Sequence, residues 1–155
     1  MKIENITIRP FDAAGDTAIL VGIWFEASLK AHAFIGQERL LEQKELIEHK
    51  YLPMAETWVA CRGDQPVGFI SLLDSFVGGI FVSPECQGQG VGRKLIAFAL
   101  ERKGELALDV YSENEQAFRF YLSLGFEEVS RRPFDDEGLP FELTHLRLTE
   151  AQYKR

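Results

Sequence analysis

Apolar and polar residues alternate through Ile6-Thr7-Ile8-Arg9, which predicts a short strand closed by Pro10. The period then changes. From Thr17 to about Ala33 the apolar residues Ile19, Leu20, Ile23, Ala27 and Ala31 recur at helical spacing, with Asp12 or Asp16 as the expected cap. Gln37 to Tyr51 repeats that spacing through Leu40, Leu41, Ile47 and Tyr51 opposite a charged side, and Pro53 is expected to end it. Thr57–Cys61 and Pro66–Leu73 read as two strands joined by the turn Arg62-Gly63-Asp64-Gln65. Asp74-Ser75 turns the chain into a third strand, Phe76–Val82, where the pair Gly78-Gly79 predicts a bulge or a close backbone approach.

After that strand and Ser83-Pro84, glycines stand at the alternate positions 88, 90 and 92, and the spacing becomes helical again with Val91, Leu95, Phe98 and Ala99. Gly104 is placed to stop this helix. Leu106–Tyr111 reads as a buried strand, so strand, helix and strand form a crossover whose strands should run parallel. Asn114 is a good cap for a helix reaching Leu124 and stopped by Gly125, although Ser112 and Glu115 offer a competing capping box. Phe126–Arg132 and Phe141–Leu148 form a final hairpin around the acidic linker 133–140. There are no repeats and no low-complexity segments.

With 155 residues, 46% of them hydrophobic, the chain suits a single domain spanning 1–155 with one core. No apolar run could span a membrane, and the opening Met-Lys-Ile-Glu-Asn lacks the apolar core of a leader, so a cytoplasmic protein without a membrane partner is expected. A net charge of −7 argues against nucleic-acid binding, which positive charge drives. It mildly favours a cationic partner. Cys61 and Cys86 have no Cys or His companions at metal spacing, so no metal is expected and two free thiols are the simplest reading.

The glycine segment carries the chemistry. Glycine lets a backbone turn sharply and approach a ligand, and amides at a helix start lack intrahelical partners, so the stretch 88–92 is a candidate anion site. An ordinary strand-to-helix turn would use the same residues. The segment is not a P-loop, because Gly92 is followed by Arg93-Lys94-Leu95 with no hydroxyl for magnesium. Nor does Gln87-Gly88-Gln89-Gly90-Val91-Gly92 fit the dinucleotide glycine spacing, although Asp109 lies near the distance of its acidic residue.

Gln87-x-x-Gly90-x-Gly92 resembles the acetyl-CoA signature of the GCN5-related N-acetyltransferases (GNAT). Downstream, Asn114-x-x-Ala117-x-x-Phe120-Tyr121-x-x-x-Gly125-Phe126 resembles a second element of that family. The likeness covers roughly residues 57–148 well, and the N-terminal helices more loosely. It implies an α/β (α+β) fold with a mixed, mostly antiparallel sheet of about six to seven strands, four helices and a splayed parallel strand pair.

The resemblance also implies the activity of small bacterial members that acetylate amines or peptidyl lysine. Acetyl-CoA would be the co-substrate, with direct transfer and no metal. Its diphosphate would lie on Gln87, Gly88, Gln89, Gly90, Val91, Gly92 and Arg93, its pantetheine arm along the free backbone of Phe81 and Val82, and Asn114 would contact the arm. Tyr121 would be the general acid for the departing thiolate. The base stays open among His32, Asp109, Ser112 and ordered water. An aspartate such as Asp109 inside an apolar strand is either a base facing the cleft or a buried structural group.

Trp24 to Ile35 and the linker carboxylates Asp135, Asp136 and Glu137 would contribute to the acceptor pocket. Read structurally, Trp24 and Phe34 are core, His32 caps a helix C-terminus as a cation, and the linker is a solvated loop. The acceptor would be a small-molecule amine or the lysine or N-terminus of a peptide or protein. The chain would be a monomer, or a homodimer pairing through the final hairpin. The alternatives are a non-catalytic acyl-CoA-binding sensor module and, less well supported, a nucleotide-binding protein.

Overall fold

The computed structural model describes residues 5–154, so most of the opening stretch read above for a leader lies outside the described residues. The strands are β1 (Ile6–Pro10), β2 (Glu56–Arg62), β3 (Gln65–Leu73), β4 (Phe76–Val82), β5 (Glu105–Tyr111), β6 (Glu127–Arg132) and β7 (Leu143–Thr149). They form one seven-stranded sheet in the order β1-β2-β3-β4-β5-β7-β6. The β4–β5 ladder is parallel and consists of Phe76↔Ala107 and Val77↔Leu108. The β1–β2, β2–β3, β5–β7 and β6–β7 ladders are antiparallel. The mixed, mostly antiparallel sheet with one parallel pair is the expected one. The chain divides into two compact units, one comprising the residues up to Leu73 with Gly78–Ala97, the other Asp74–Val77 with Phe98 onward.

In the first unit, helix α1 (Ala13–Ala31) starts four residues earlier than the apolar spacing indicates. Asp12 is its N-cap by position, but its side chain caps nothing. Asp16 instead reaches back: it accepts the Asp12 amide at 2.9 Å and pairs with Arg9 at 2.7 and 2.8 Å. The buried face of α1 is Leu20, Val21, Ile23, Trp24, Ala27 and Ser28, whereas Ile19 is 45% exposed and Ala31 also faces solvent. Leu20, Val21, Ile23 and Trp24 pack with Leu40, Leu52, Val59, Cys61 and Phe69 into one apolar core. Each large side chain so buried stabilises the unit by about 1.5–3 kcal/mol before entropy is subtracted.

Pro53 does not stop the second helix where expected. Helix α2 (Gln37–Leu46) passes into a π-helical turn, Ile47–Tyr51, and on into α3 (Leu52–Met54). Pro53 lies inside this continuous helical run, and the π-helical turn just before it accommodates the missing N–H. Leu41 and Tyr51, on the apolar side of that spacing, are 46% and 48% exposed; Leu40 carries the burial. The β2–β3 hairpin turns through Gly63 at φ +62°, with Arg62 paired to Gln65 as expected.

In the second unit, β5 alternates buried Leu106, Leu108 and Val110 with half-buried residues. Leu106 pairs with Leu148 and Leu108 with Leu146 across the ladder, giving one apolar face. Helix α5 (Glu115–Leu124) packs on β5. Asn114 caps it, accepting the Ala117 amide at 3.2 Å, and the Ser112–Glu115 box does not form the cap. Gly125 ends it at φ +106°, a backbone state that favours glycine. No helix among the described residues is long and apolar enough to cross a membrane.

Candidate active site

The glycine segment is positioned by its neighbours. The amide of Ser83 donates to Val67 at 2.8 Å and ties the end of β4 to β3. Gly68 on β3 makes this possible: a Cβ there would lie 2.9 Å from the Phe81 carbonyl oxygen, 3.3 Å from Val91 Cγ1 and 3.4 Å from Val82 Cα. The Phe81 ring tilts against Phe69 at 5.6 Å and covers Gly79, where a Cβ would strike it at 2.7 Å. The expected close approach in β4 is therefore an aromatic ring over Gly79, and Phe81 offers its backbone while its side chain joins the core.

A single 3₁₀ turn, Pro84–Cys86, follows. Gly88 and Gly90 then take φ +78° and +91°, and helix α4 (Val91–Lys103) begins. Its first backbone bond runs from the Lys94 amide to the Gly90 carbonyl at 3.1 Å, and Val91, 1% exposed, anchors the start. No described residue accepts a hydrogen bond from the amides of Gly88, Gln89, Gly90, Val91 or Gly92. Five donors at the positive end of a thirteen-residue helix suit an anion. Arg93 and Lys94 lie exposed in the first turn of α4.

Gln87 is already engaged. Its Nε2 donates to the Val82 carbonyl at 3.2 Å, and its Oε1 accepts from Lys30 at 3.1 Å. The Val82 carbonyl is therefore not the free acceptor expected; an incoming amide would share it or replace Gln87. Lys30, absent from the sequence-based set, thereby joins the cations beside the segment. In the sequence it reads only as a basic residue in the last turn of α1, fifty-seven positions away from Gln87. Gln89 folds back to the Glu85 carbonyl at 3.3 Å. Cys61 and Cys86 are both buried free thiols.

Tyr121 lies on α5, 9% exposed, between Phe120 and Phe126 at ring distances of 5.4 Å. No described residue hydrogen-bonds its hydroxyl. Burial pushes the phenol well above its ordinary pKa, so it holds its proton. Asn114 is occupied as the cap of the same helix.

His32 is the C-cap residue of α1, half-buried, with its ring edge-on to Phe34 at 5.9 Å. Burial lowers its pKa to about 4, so at neutral pH it is not the cationic cap that its position suggested, and it is a weak base. Trp24 is core.

Asp109 turns out to be shared between two partners. Its Oδ1 lies 2.7 Å from His145 Nδ1 and its Oδ2 accepts from Arg132 at 3.0 Å. Arg132 also reaches Asp136 at 2.7 Å. Asp109 and His145 face each other across the β5–β7 ladder. They line a cleft of about 340 Å³ with Ser130, Arg131, Arg132 and Leu143. Asp109 is thus both cleft-lining and hydrogen-bonded. His145 was not singled out from the sequence; only the antiparallel register brings it to a carboxylate thirty-six residues away. Ser112 bonds Thr144 at 2.7 Å.

The acidic linker is not a uniformly solvated loop. Asp135 is 7% exposed and accepts from the Tyr111 hydroxyl at 3.1 Å and from the amides of Glu137 and Leu139 at 3.0 and 2.9 Å. It organises the loop, and Asp136 pairs with Arg132.

The acetyltransferase (GNAT) domain family matches residues 53–128. Peptidyl-lysine N-acetyltransferase YjaB of Escherichia coli (strain K12) is 39% identical over 128 residues, which cover 82% of this chain and 86% of that protein. The protein of the same name from Salmonella typhimurium is 35% identical over 128 residues, covering 82% of this chain and 88% of that one. The solution structure of apo-form YjaB from Escherichia coli superposes with a TM-score of 0.85 at 36% identity, over 93% of this chain and 97% of that chain. The structure of yncA from Salmonella typhimurium with its cofactor acetyl-CoA has the same fold, with a TM-score of 0.66 at 24% identity over 98% of each chain. The glycine segment opening α4, the order of the seven strands and these likenesses agree: the chain belongs to the GNAT family of N-acetyltransferases.

Proposed function

We propose that this chain moves an acetyl group from acetyl-CoA directly to a primary amine, its two units acting as one catalytic domain. The observation that carries the reading is the run of amides at Gly88–Gly92 with no described acceptor, at a helix start where two glycines hold positive φ. Those amides would hold the diphosphate, with Gln87, Arg93 and the nearby Lys30 and Lys94 adding charge or hydrogen bonds. Backbone groups of Phe81 and Val82 would take the pantetheine arm, Asn114 adding a contact from the start of α5. When bound, acetyl-CoA supplies the thioester.

Tyr121 would hand its proton to the departing sulfur. A protonated phenol with no described residue on its hydroxyl can donate to a developing thiolate, and binding of the co-substrate would have to offset the weakening of its acidity by burial. The acceptor amine must lose a proton before it attacks. By likeness to the peptidyl-lysine N-acetyltransferases, a lysine side chain or N-terminus of a peptide or protein is the acceptor class, small amines being the second choice.

The test is turnover of acetyl-CoA with lysine-containing peptides and a panel of amines, with CoA affinity measured by calorimetry. Tyr121→Phe is expected to lower kcat about a hundredfold or more while CoA affinity stays within twofold. Tight CoA binding with no transfer to any acceptor would instead make the protein a sensor.

A further inference from the structure

On the transferase reading above, we propose that His145 is the general base that deprotonates the acceptor amine, with Asp109 as its positioning residue. A carboxylate can only accept, so the 2.7 Å contact between Asp109 Oδ1 and His145 Nδ1 puts the imidazole hydrogen on Nδ1. In the uncharged ring, Nε2 then carries the lone pair. Arg132, at 3.0 Å from Asp109 Oδ2, fixes the carboxylate from its other side and is itself held by Asp136. Three strands thus hold one ring: β7 carries it, β5 orients it through Asp109, and β6 flanks it with Ser130, its register partner, and with Arg131 and Arg132. The His145 side chain is 35% exposed while Asp109 is 19% exposed, the order expected when the outer group meets substrate and the inner one aims it. The cleft of about 340 Å³ that both line is large enough for an aminoalkyl group.

His32, whose pKa burial lowers to about 4, and Asp109, whose two oxygens are both engaged, are less available to take the proton than His145 Nε2. His145 Nε2 takes one proton from the acceptor ammonium and frees its lone pair. The nitrogen then forms the C–N bond as the C–S bond breaks. The sulfur takes the phenolic proton of Tyr121, a second amine proton restores the phenol, and His145 releases its proton to water.

Acetyl transfer to a lysine peptide is followed from about pH 6 to 9 for the wild type, His145→Gln and Asp109→Asn. His145→Gln should lower kcat/KM about a hundredfold and lose the acidic limb of the profile, with CoA affinity unchanged. Asp109→Asn should cost about tenfold through ring misorientation. Independently of turnover, ¹⁵N NMR of the ligand-free wild type should show His145 as the Nδ1–H tautomer, and the Asp109 variant should show a mixture. A wild-type Nε2–H tautomer, or an unchanged rate and limb in His145→Gln, overturns the assignment and leaves the transferase reading standing. A wild type that binds CoA and transfers nothing overturns both.

Discussion

Asp16 is 3% exposed and charged, a combination that survives only because the Arg9 guanidinium and the Asp12 amide meet both its oxygens. Arg9 holds the carboxyl below the usual carboxylate range, with the Asp12 amide adding to the effect against desolvation. The stability this contributes is complete above the ordinary carboxylate pKa and is lost as pH falls through the lowered one. Asp16→Asn should therefore cost about 2–3 kcal/mol at neutral pH, less than a fully sealed pair because the Arg9 side chain is 40% exposed. Chemical denaturation of both proteins at neutral and acid pH checks this: the gap should narrow in acid. Asn114 and Gly125 were legible in the sequence because their signals are local, a cap and an αL stop, and they bound the helix on which Tyr121 sits; Tyr121 itself stood out only through the family motif. Asp16, His145 and Lys30 owe their partners to tertiary register. The alternation of β7 marks His145 as one more half-buried strand residue and says nothing of the carboxylate opposite.

At the scale of elements, period gave the strands and helices, while packing chose which apolar residues count. Ile19 and Leu41 fit the helical spacing yet lie in solvent, because a stripe wider than its contact leaves its margins uncovered. The π-helical turn before Leu52 has no signal in residue spacing, and it lets the helix continue through Pro53. Gly68 likewise looks like any strand glycine, though its missing Cβ lets the end of β4 and the start of α4 lie close on β3. Gly68→Ala should destabilise by about 1–3 kcal/mol, measurable by urea unfolding. Gly90→Ala tests something different. Nothing lies within 4 Å of a Cβ there, so its cost is the backbone at φ +91°, about 1–2 kcal/mol, relieved by a local shift of the amides. Calorimetry should then find CoA bound about tenfold more weakly.

For the whole molecule, a net charge of −7 would not oppose an anionic co-substrate on the proposed reading, in which neutral amides would do the gripping and Lys30, Arg93 and Lys94 lie near or within the same segment. The outer strand β6 is guarded against pairing with another copy. It carries Glu127, Glu128, Arg131 and Arg132, and its register shifts between Glu128 and Ser130. Light scattering should accordingly give a mass near 17.6 kDa at micromolar concentration, and a doubled mass would show that this protection fails. Gln87 has a consequence of a different kind. One amide group buckles the last turn of α1 to the rim of β4, so a visitor that displaces Gln87 from the Val82 oxygen would also disturb its bond to Lys30. Amide exchange in the final turn of α1 would then register filling of the glycine segment, making that turn a built-in gauge of occupancy.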